Sequence, residues 1–390
     1  MYDIEALRRS EFPHSAEHIY LHHAGISPIP KSVETAVTQA IHALTNNPND
    51  YWGQTFIPLT QQLLTDIKQY INATDTSEIG ITTTTVFSMN TFAHAIQWQP
   101  GDAVALCDVE FPSNAYPWMS LTREGVKIQL VPAQNGGLTV DALKQVVDSS
   151  TRLVTVSAIQ FLSGHKTDLQ AIGEFCHTRG ILFAVDAIQA IGHMPIDVQA
   201  MHIDMLATGG QKSLLAMPGI GFMYVRRELS EQMQPRYVGS NSTVDFLHWL
   251  KYDMTPLSGA ARFNMGTPNV AGTAGLAASI KLLSQLGPAN IEQHTNRLTA
   301  VTTQHLTQAG FHVITPTENG RFGPICTFAS GMSNEETDEL VQKLAKRRVT
   351  VGKHLDAQGT PYIRAAFHAY NTEEEAIRFV EILQEEIKQL

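Results

Sequence analysis

The sequence predicts an α/β protein: a large domain with a mostly parallel central sheet covered by helices, joined to a smaller α+β domain at the C-terminal end. Three observations carry that prediction. Short apolar runs, "AVALCDV", "RLVTVSAI", "ILFAVDA" and "IGFMYV", recur between about residues 60 and 225. Their apolar residues run consecutively rather than at alternate positions, as expected of strands covered on both faces. Segments of helical periodicity separate them, the arrangement that joins parallel strands through crossover helices. The chain has 390 residues, 43% of them hydrophobic. Single cores stop growing near roughly 250–300 residues, so two domains are expected.

The elements follow in order. Residues 1–15 are expected to pack on the small domain. "EIGITTTTVFSMNTFAHAI" (78–96) reads as a strand, a run of hydroxyl residues and a helix. "AVALCDV" is a strand, and "EFPSNAYPW" after it places Phe111 just before a proline turn. "DLQAIGEFCHTRG" has helical spacing with Gly180 as its stop. The strand at 181–185 runs straight into Asp186, and "IDMLATGG" is the next strand. "NVAGTAGLAASIKLLSQLG" (269–287) is a long helix rich in small residues, and amphipathic helices around short strands follow it. The expected division is a large domain of 16–268, a bridging helix of 269–284 and a small domain of 285–390 with 1–15.

Composition excludes several functions. A formal net charge of −10 argues against a nucleic-acid partner, whose phosphates demand a basic surface. The three cysteines, Cys107, Cys176 and Cys326, form no CxxC pair. Neither a disulfide framework nor a structural zinc is expected, and a reducing compartment is the default. The opening "MYDIEALRRSEF" has no apolar signal region, and no run reaches ~18 apolar residues. A cytoplasmic protein without membrane spans is the expectation. No metal site is assigned.

One lysine stands out. Lys212 in "ATGGQKSLLAMPGIGFMYV" lies among small and apolar residues, whereas a lysine ordinarily sits on a solvated face. It follows a strand by a few residues, and Asp186 ends the strand before that one. In open α/β sheets ligands bind beyond the carboxyl ends of strands, so both side chains are placed where a ligand sits. A desolvated lysine has a lowered pKa and becomes a nucleophile able to form a Schiff base. A carboxylate ending a buried strand is costly unless paired; a protonated pyridine nitrogen would suit it, and capping of the next turn is the alternative. Thr84, Thr85 and the Val86 N–H stand at a helix N-terminus, a ready anion site, though threonine is also a common cap. Phe111 is a core residue or a platform for a ring. Taken together, lysine, acid and anion site are the requirements of pyridoxal phosphate.

The chain resembles the class-V aminotransferases of fold-type I, pyridoxal 5'-phosphate enzymes that include cysteine desulfurases, kynureninases and isopenicillin N epimerases. The resemblance covers nearly the whole length. "YLHHAGISPIP" is similar to the family's first strand and turn, and "VDAIQ" to its Asp-x-x-Gln, which implies Asp186 at the pyridine nitrogen and Gln189 near the 3′-oxygen. "GGQK" stands where the family has Ser-Gly-His-Lys, implying Lys212 as the cofactor-binding lysine. Gln211 replaces the histidine, weakening one phosphate contact that Thr208 can restore. "GTPN" is similar to a segment that crosses a dimer interface, implying a homodimer in which Thr267 reaches the partner subunit's phosphate. "YIRAAFHAYNTEEE" implies Arg364 as the clamp on the substrate carboxylate, a role suited to a planar bidentate guanidinium.

Departures narrow the reading. Where desulfurases stack a histidine on the cofactor, "EFPSNAYPW" resembles the Phe-Pro-Ser variant, implying Phe111, or Pro112 by alignment, against the ring. The persulfide-forming cysteine of a desulfurase falls near Leu355 in "VTVGKHLDAQG", with no cysteine close by. His22 and His23, near the expected mouth, are candidate substrate contacts; His165 and His354 are read as structural or solvent-exposed. The expectation is an enzyme for a small α-amino acid, acting through an α-carbanion and leaning to a desulfurase-like C–S or β-lyase without the catalytic cysteine. An aminotransferase or epimerase is the alternative, and a non-catalytic cofactor-binding protein the rival from another class.

Overall fold

The computed structural model describes residues 2–245, 248–318 and 320–389. Its centre is a seven-stranded sheet built from β2 (Ile79–Thr82), β3 (Ala103–Cys107), β4 (Lys127–Val131), β5 (Thr151–Ser157), β6 (Leu182–Asp186), β7 (Met205–Gly209) and β8 (Gly221–Val225). The first strand of the chain, β1 (Ile19–Tyr20), lies outside it. The order across the sheet is β2-β8-β7-β6-β5-β3-β4. From β4 to β7 every pairing is parallel; β8 pairs antiparallel with both β7 and β2. Every residue of β3, β7 and β8 is buried. That is the physical basis of their unbroken apolar sequences, because helices lie on both faces. Two clusters form the two sides: one runs from Leu63 and Ile67 through Val154, Val185 and Leu206, the other from Met89 and Phe92 through Leu106, Trp118 and Ala207.

Asn269 caps the helix Val270–Leu286 by accepting from the Gly272 N–H. The small residues of this helix allow close approach: a Cβ on Gly275 would lie 2.9 Å from Val37. The helix packs on the helices Lys31–Asn46 and Ile57–Tyr70. Beyond it, β9 (Ile325–Ala329), β11 (Gly352–Leu355) and β12 (Pro361–Ala366) form an antiparallel sheet in the order β11-β12-β9, and β10 (Val349–Thr350) pairs with β1. The helices Pro288–Gln308, Asn334–Lys346 and Glu373–Ile387 bury Leu298, Leu340 and Phe379 against this sheet in a third cluster.

The N-terminal segment is held by the C-terminal one. Arg8 donates to the Tyr370 carbonyl and to Glu375, and Phe12 stacks on Tyr370 with ring centroids 4.1 Å apart. The attachment passes the expected boundary at residue 16, since Ile19 and Leu21 donate to Arg348 and Thr350, and Ala366 donates back to Leu21. A two-residue strand has no stability alone, so it takes the open edge it meets. Among the described residues no helix is long and apolar enough to cross a membrane.

Candidate active site

The register of the parallel strands creates the site. Ser157 and Asp186 stand side by side at the carboxyl ends of β5 and β6, with Ala207 in the middle of β7 next to Asp186. The loops that leave these ends open a cavity of about 380 Å³. Lining it are Thr84, Thr85, Val86, Phe111, Asp186, Gln211, Lys212 and Arg364 among the residues singled out from sequence. A larger hollow of about 550 Å³ lies elsewhere, near Asp204 and Arg226, and contains none of them.

Asp186 is 3% exposed, and its carboxylate accepts only the Ile188 N–H, at 3.0 Å, among the hydrogen bonds of the described residues. Burial raises its pKa, the neighbouring Glu110 carboxylate adds to that, and Lys212 opposes it. Lys212 shows the complementary effect: burial, then the Arg364 guanidinium, push its amine down, against the pull of Asp186. Its Nζ stands 5.2 Å from the centroid of the Phe111 ring. The turn that carries it is fixed from every side. Ser213 Oγ donates to the Ile188 carbonyl, Ser27 N–H to Gln211, and Gly210 N–H to Ile220. The His368 Nδ1 accepts from the Ala369 N–H, which leaves Nε2 to donate to the Ser213 carbonyl at 2.9 Å.

Thr84 caps the helix Thr85–Ala95 by accepting from the Phe87 N–H. The next hydroxyl, Thr85 Oγ1, is buried without a partner. Gln211 Oε1 stands beside it, since a Cβ on Gly209 would lie 2.8 Å from that oxygen and 3.2 Å from Thr85 Oγ1. Arg364 reaches the cavity from β12; it is 2% exposed, donates Nη1 to the Phe161 carbonyl at 2.5 Å, and keeps an unpartnered Nε.

Other expected residues stand off the cavity. Gln189 donates to the Ala24 carbonyl and so ties the N-terminal turn to the loop after β6. Thr208 is fully buried within β7, and Thr267 is exposed at the surface. Pro112 begins the helix Pro112–Met119, leaving Phe111 as the residue on the cavity wall. His23 corrects the sequence reading. At 1% exposure it bonds Ser27 and packs against Tyr20, His368 and Tyr370, facing the interior rather than the cavity. His354 is the opposite correction, because it lines the cavity with its ring edge-on to Phe161.

Phe161, Ser113, Ile188, Ala24 and Gly25 also line the cavity and were missed. Phe161 follows β5 as Asp186 ends β6, so the strand-end rule applied once more would have found it. Glu110 was missed too. It accepts from Ser157 N–H, Ser157 Oγ, Gln160 and Asn114, and so anchors the loop bearing Phe111 to the end of β5.

A cavity with a desolvated amine, an underbonded acid and a buried orphan hydroxyl at a helix N-terminus is the site of an enzyme that binds a phosphorylated pyridine aldehyde. The comparisons agree. The profile of the aminotransferase class-V family matches residues 19–379. A protein named a probable cysteine desulfurase from Methanothermobacter thermautotrophicus is 30% identical, over 97% of this chain and 96% of its own. Among solved structures, the apo form of a cysteine desulfurase from Thermococcus onnurineus superposes with a TM-score of 0.90 at 24% identity, covering 100% of this chain and 99% of its own. A cystine C–S lyase, C-DES, solved with its product cysteine persulfide, superposes with a TM-score of 0.86 at 24% identity, covering 95% and 98%. The chain belongs to the class-V aminotransferase family and is a pyridoxal-phosphate-dependent enzyme.

The residues present fit that cofactor. The Thr85 hydroxyl, the Gln211 amide and the Val86 N–H can receive a phosphate, Asp186 has bonding capacity left for a ring nitrogen, and Lys212 is free of ion pairs among the described residues.

Proposed function

We propose that the enzyme is a C–S or β-lyase for a small α-amino acid that releases the β-substituent without an enzyme thiol. The observation that carries this reading is the state of the thiols. Cys107, Cys176 and Cys326 are 1%, 0% and 0% exposed, and burial pushes each thiol up to about 12. A neutral, enclosed thiol is no sulfur acceptor, and no cysteine is among the described residues that line the cavity. Leu355, next to the cavity residue His354, is 51% exposed and cannot accept sulfur.

The roles follow from position. Bound here, the cofactor supplies an electron-accepting ring for charge developing at the substrate's α-carbon. Lys212 Nζ would hold the cofactor through its aldehyde, and its amine is the base placed to take the α-proton. Asp186 holds the proton on the ring nitrogen. Phe111 would set the plane of the ring, and Thr84, Thr85, Val86 and Gln211 would serve its phosphate; Thr208 and Gln189 would support them from behind the cavity wall, Gln189 by holding the Ala24 turn. Arg364 orients the substrate carboxylate. The proposed organisation keeps a large domain near 16–268, the bridging helix 269–284 and a small domain of 285–390 joined by the N-terminal segment. Three buried free thiols also suit a cytoplasmic setting.

Replacing all three cysteines by alanine, after folding is verified by circular dichroism, tests the reading. kcat/KM is expected to stay within about tenfold, ~1.4 kcal/mol of transition-state stabilisation. Loss of several orders of magnitude, or a persulfide found on one cysteine by mass spectrometry, overturns it. Product analysis separates the alternatives: elimination releases ammonia with the β-substituent, whereas transamination yields a keto acid that retains it.

A further inference from the structure

Beside Arg364 stand two imidazoles, His354 and His22, that the roles above do not use. Gly352 pairs with Arg364 across β11 and β12, and His354 follows two residues later on the same face. The missing side chain at Gly352 makes a slot, and the His22 ring fills it: a Cβ at Gly352 would lie 2.8 Å from His22 Nδ1. The same ring rests on Gly25, a cavity residue, where a Cβ would lie 2.1 Å from Nε2. Three buried nitrogens in this corner have no hydrogen-bond partner: His22 Nδ1, His354 Nε2 and Arg364 Nε. The Arg364 guanidinium is in no ion pair among the described residues, and burial, aided by the charges of Arg364 and Lys212, pushes both imidazoles down to about 4, so each is neutral. Asp186, the carboxylate among the described lining residues, also faces Lys212.

Unsatisfied buried nitrogens are expensive, and the Arg364 charge, beside two neutral imidazoles that can each donate one N–H, favours an anion over a cationic group. One carboxylate on Arg364 leaves both imidazoles unused. We infer that Arg364, His354 and His22 form a two-anion subsite, and that the substrate is an α-amino acid whose side chain ends in a second anionic group, a carboxylate or a sulfur oxyanion. This rests on the reading of the cavity as the amino-acid site. His22 and His354 are then the specificity-determining residues.

Calorimetric titration of the cofactor-loaded enzyme with succinate and with propionate tests the inference without turnover. Succinate carries the two carboxylates of a β-anionic amino acid, and propionate carries one. Succinate is expected to bind at least about tenfold more tightly, a gap of ~1.4 kcal/mol, and His354→Asn and His22→Asn should each shrink the ratio severalfold. A ratio near one in the wild-type enzyme, or a ratio unchanged in both folded variants, overturns the subsite. If neither variant folds, the wild-type ratio decides alone. Failure of the parent reading looks different: Arg364→Lys would then leave the binding of both acids unaltered, whereas a failed subsite leaves both acids sensitive to Arg364→Lys with a ratio near one.

Discussion

At the scale of single residues the site is made by desolvation. Lys212 has no carboxylate within ion-pair distance among the described residues, and enclosure rather than a partner sets its behaviour. Burial and then Arg364 bring its amine down to about 8 from the ordinary 10.5. The sign follows: the neutral, nucleophilic amine gains population as pH rises through about 8, well before an exposed lysine does. In cofactor-free enzyme, labelling of Lys212 by an amine-acylating reagent, followed by mass spectrometry, should have its midpoint near pH 8. A midpoint near the ordinary lysine value of 10.5 would remove desolvation from the account. Lys212→Ala should lose the visible band of bound cofactor together with turnover.

At the scale of elements, the turn after β7 is a precision part braced by its neighbours. Gly192 has φ +99°, and a Cβ there would lie 2.1 Å from the Ser213 carbonyl, immediately after Lys212. Gly192→Ala therefore combines backbone strain with a clash that moves the lysine turn. It should cost about 2–4 kcal/mol in unfolding free energy and weaken cofactor retention. Chemical denaturation and the absorbance of the purified variant measure both effects, and a variant of normal stability and colour would contradict the close approach. Sequence made part of this visible. Strand ends announced Asp186 and, two strands' reach along, Lys212. Glu110 stayed hidden because three of its four hydrogen bonds go to Ser157 and Gln160, partners that only the parallel pairing of β3 with β5 delivers; the fourth, from Asn114, is local.

At the scale of the whole molecule several large apolar side chains stand exposed along the segment that leads to Thr267. Leu250, Tyr252 and Met254 are 86%, 79% and 64% exposed, and Met265 beside the exposed Thr267 is 41% exposed. Exposed apolar surface of this kind marks an interface. A homodimer is the proposed occupant, with Thr267 donated to the partner's cofactor phosphate. Sedimentation should show a dimer. Thr267→Val should then release cofactor more readily without altering the melting of the cofactor-free fold, because binding to the assembled state is what couples the two. A monomer that retains the cofactor normally would refute the shared site.

The sequence by itself determined the fold class and the strand-end chemistry. Unbroken apolar runs require a sheet covered on both faces, and a run that terminates in Asp186 or opens onto Lys212 puts that group at the ligand end of the sheet. Tertiary structure alone decided which distant groups join them. Arg364 and His354 arrive from β12 and β11, far along the chain from Asp186 and Lys212, and His22 enters the slot left by Gly352, a contact spanning more than three hundred residues that no local pattern encodes. It also turned His23 inward: the chain bends after His22, whose carbonyl accepts from the Gly25 and Ile26 N–H groups, so one ring went to the cavity corner and the other to the core.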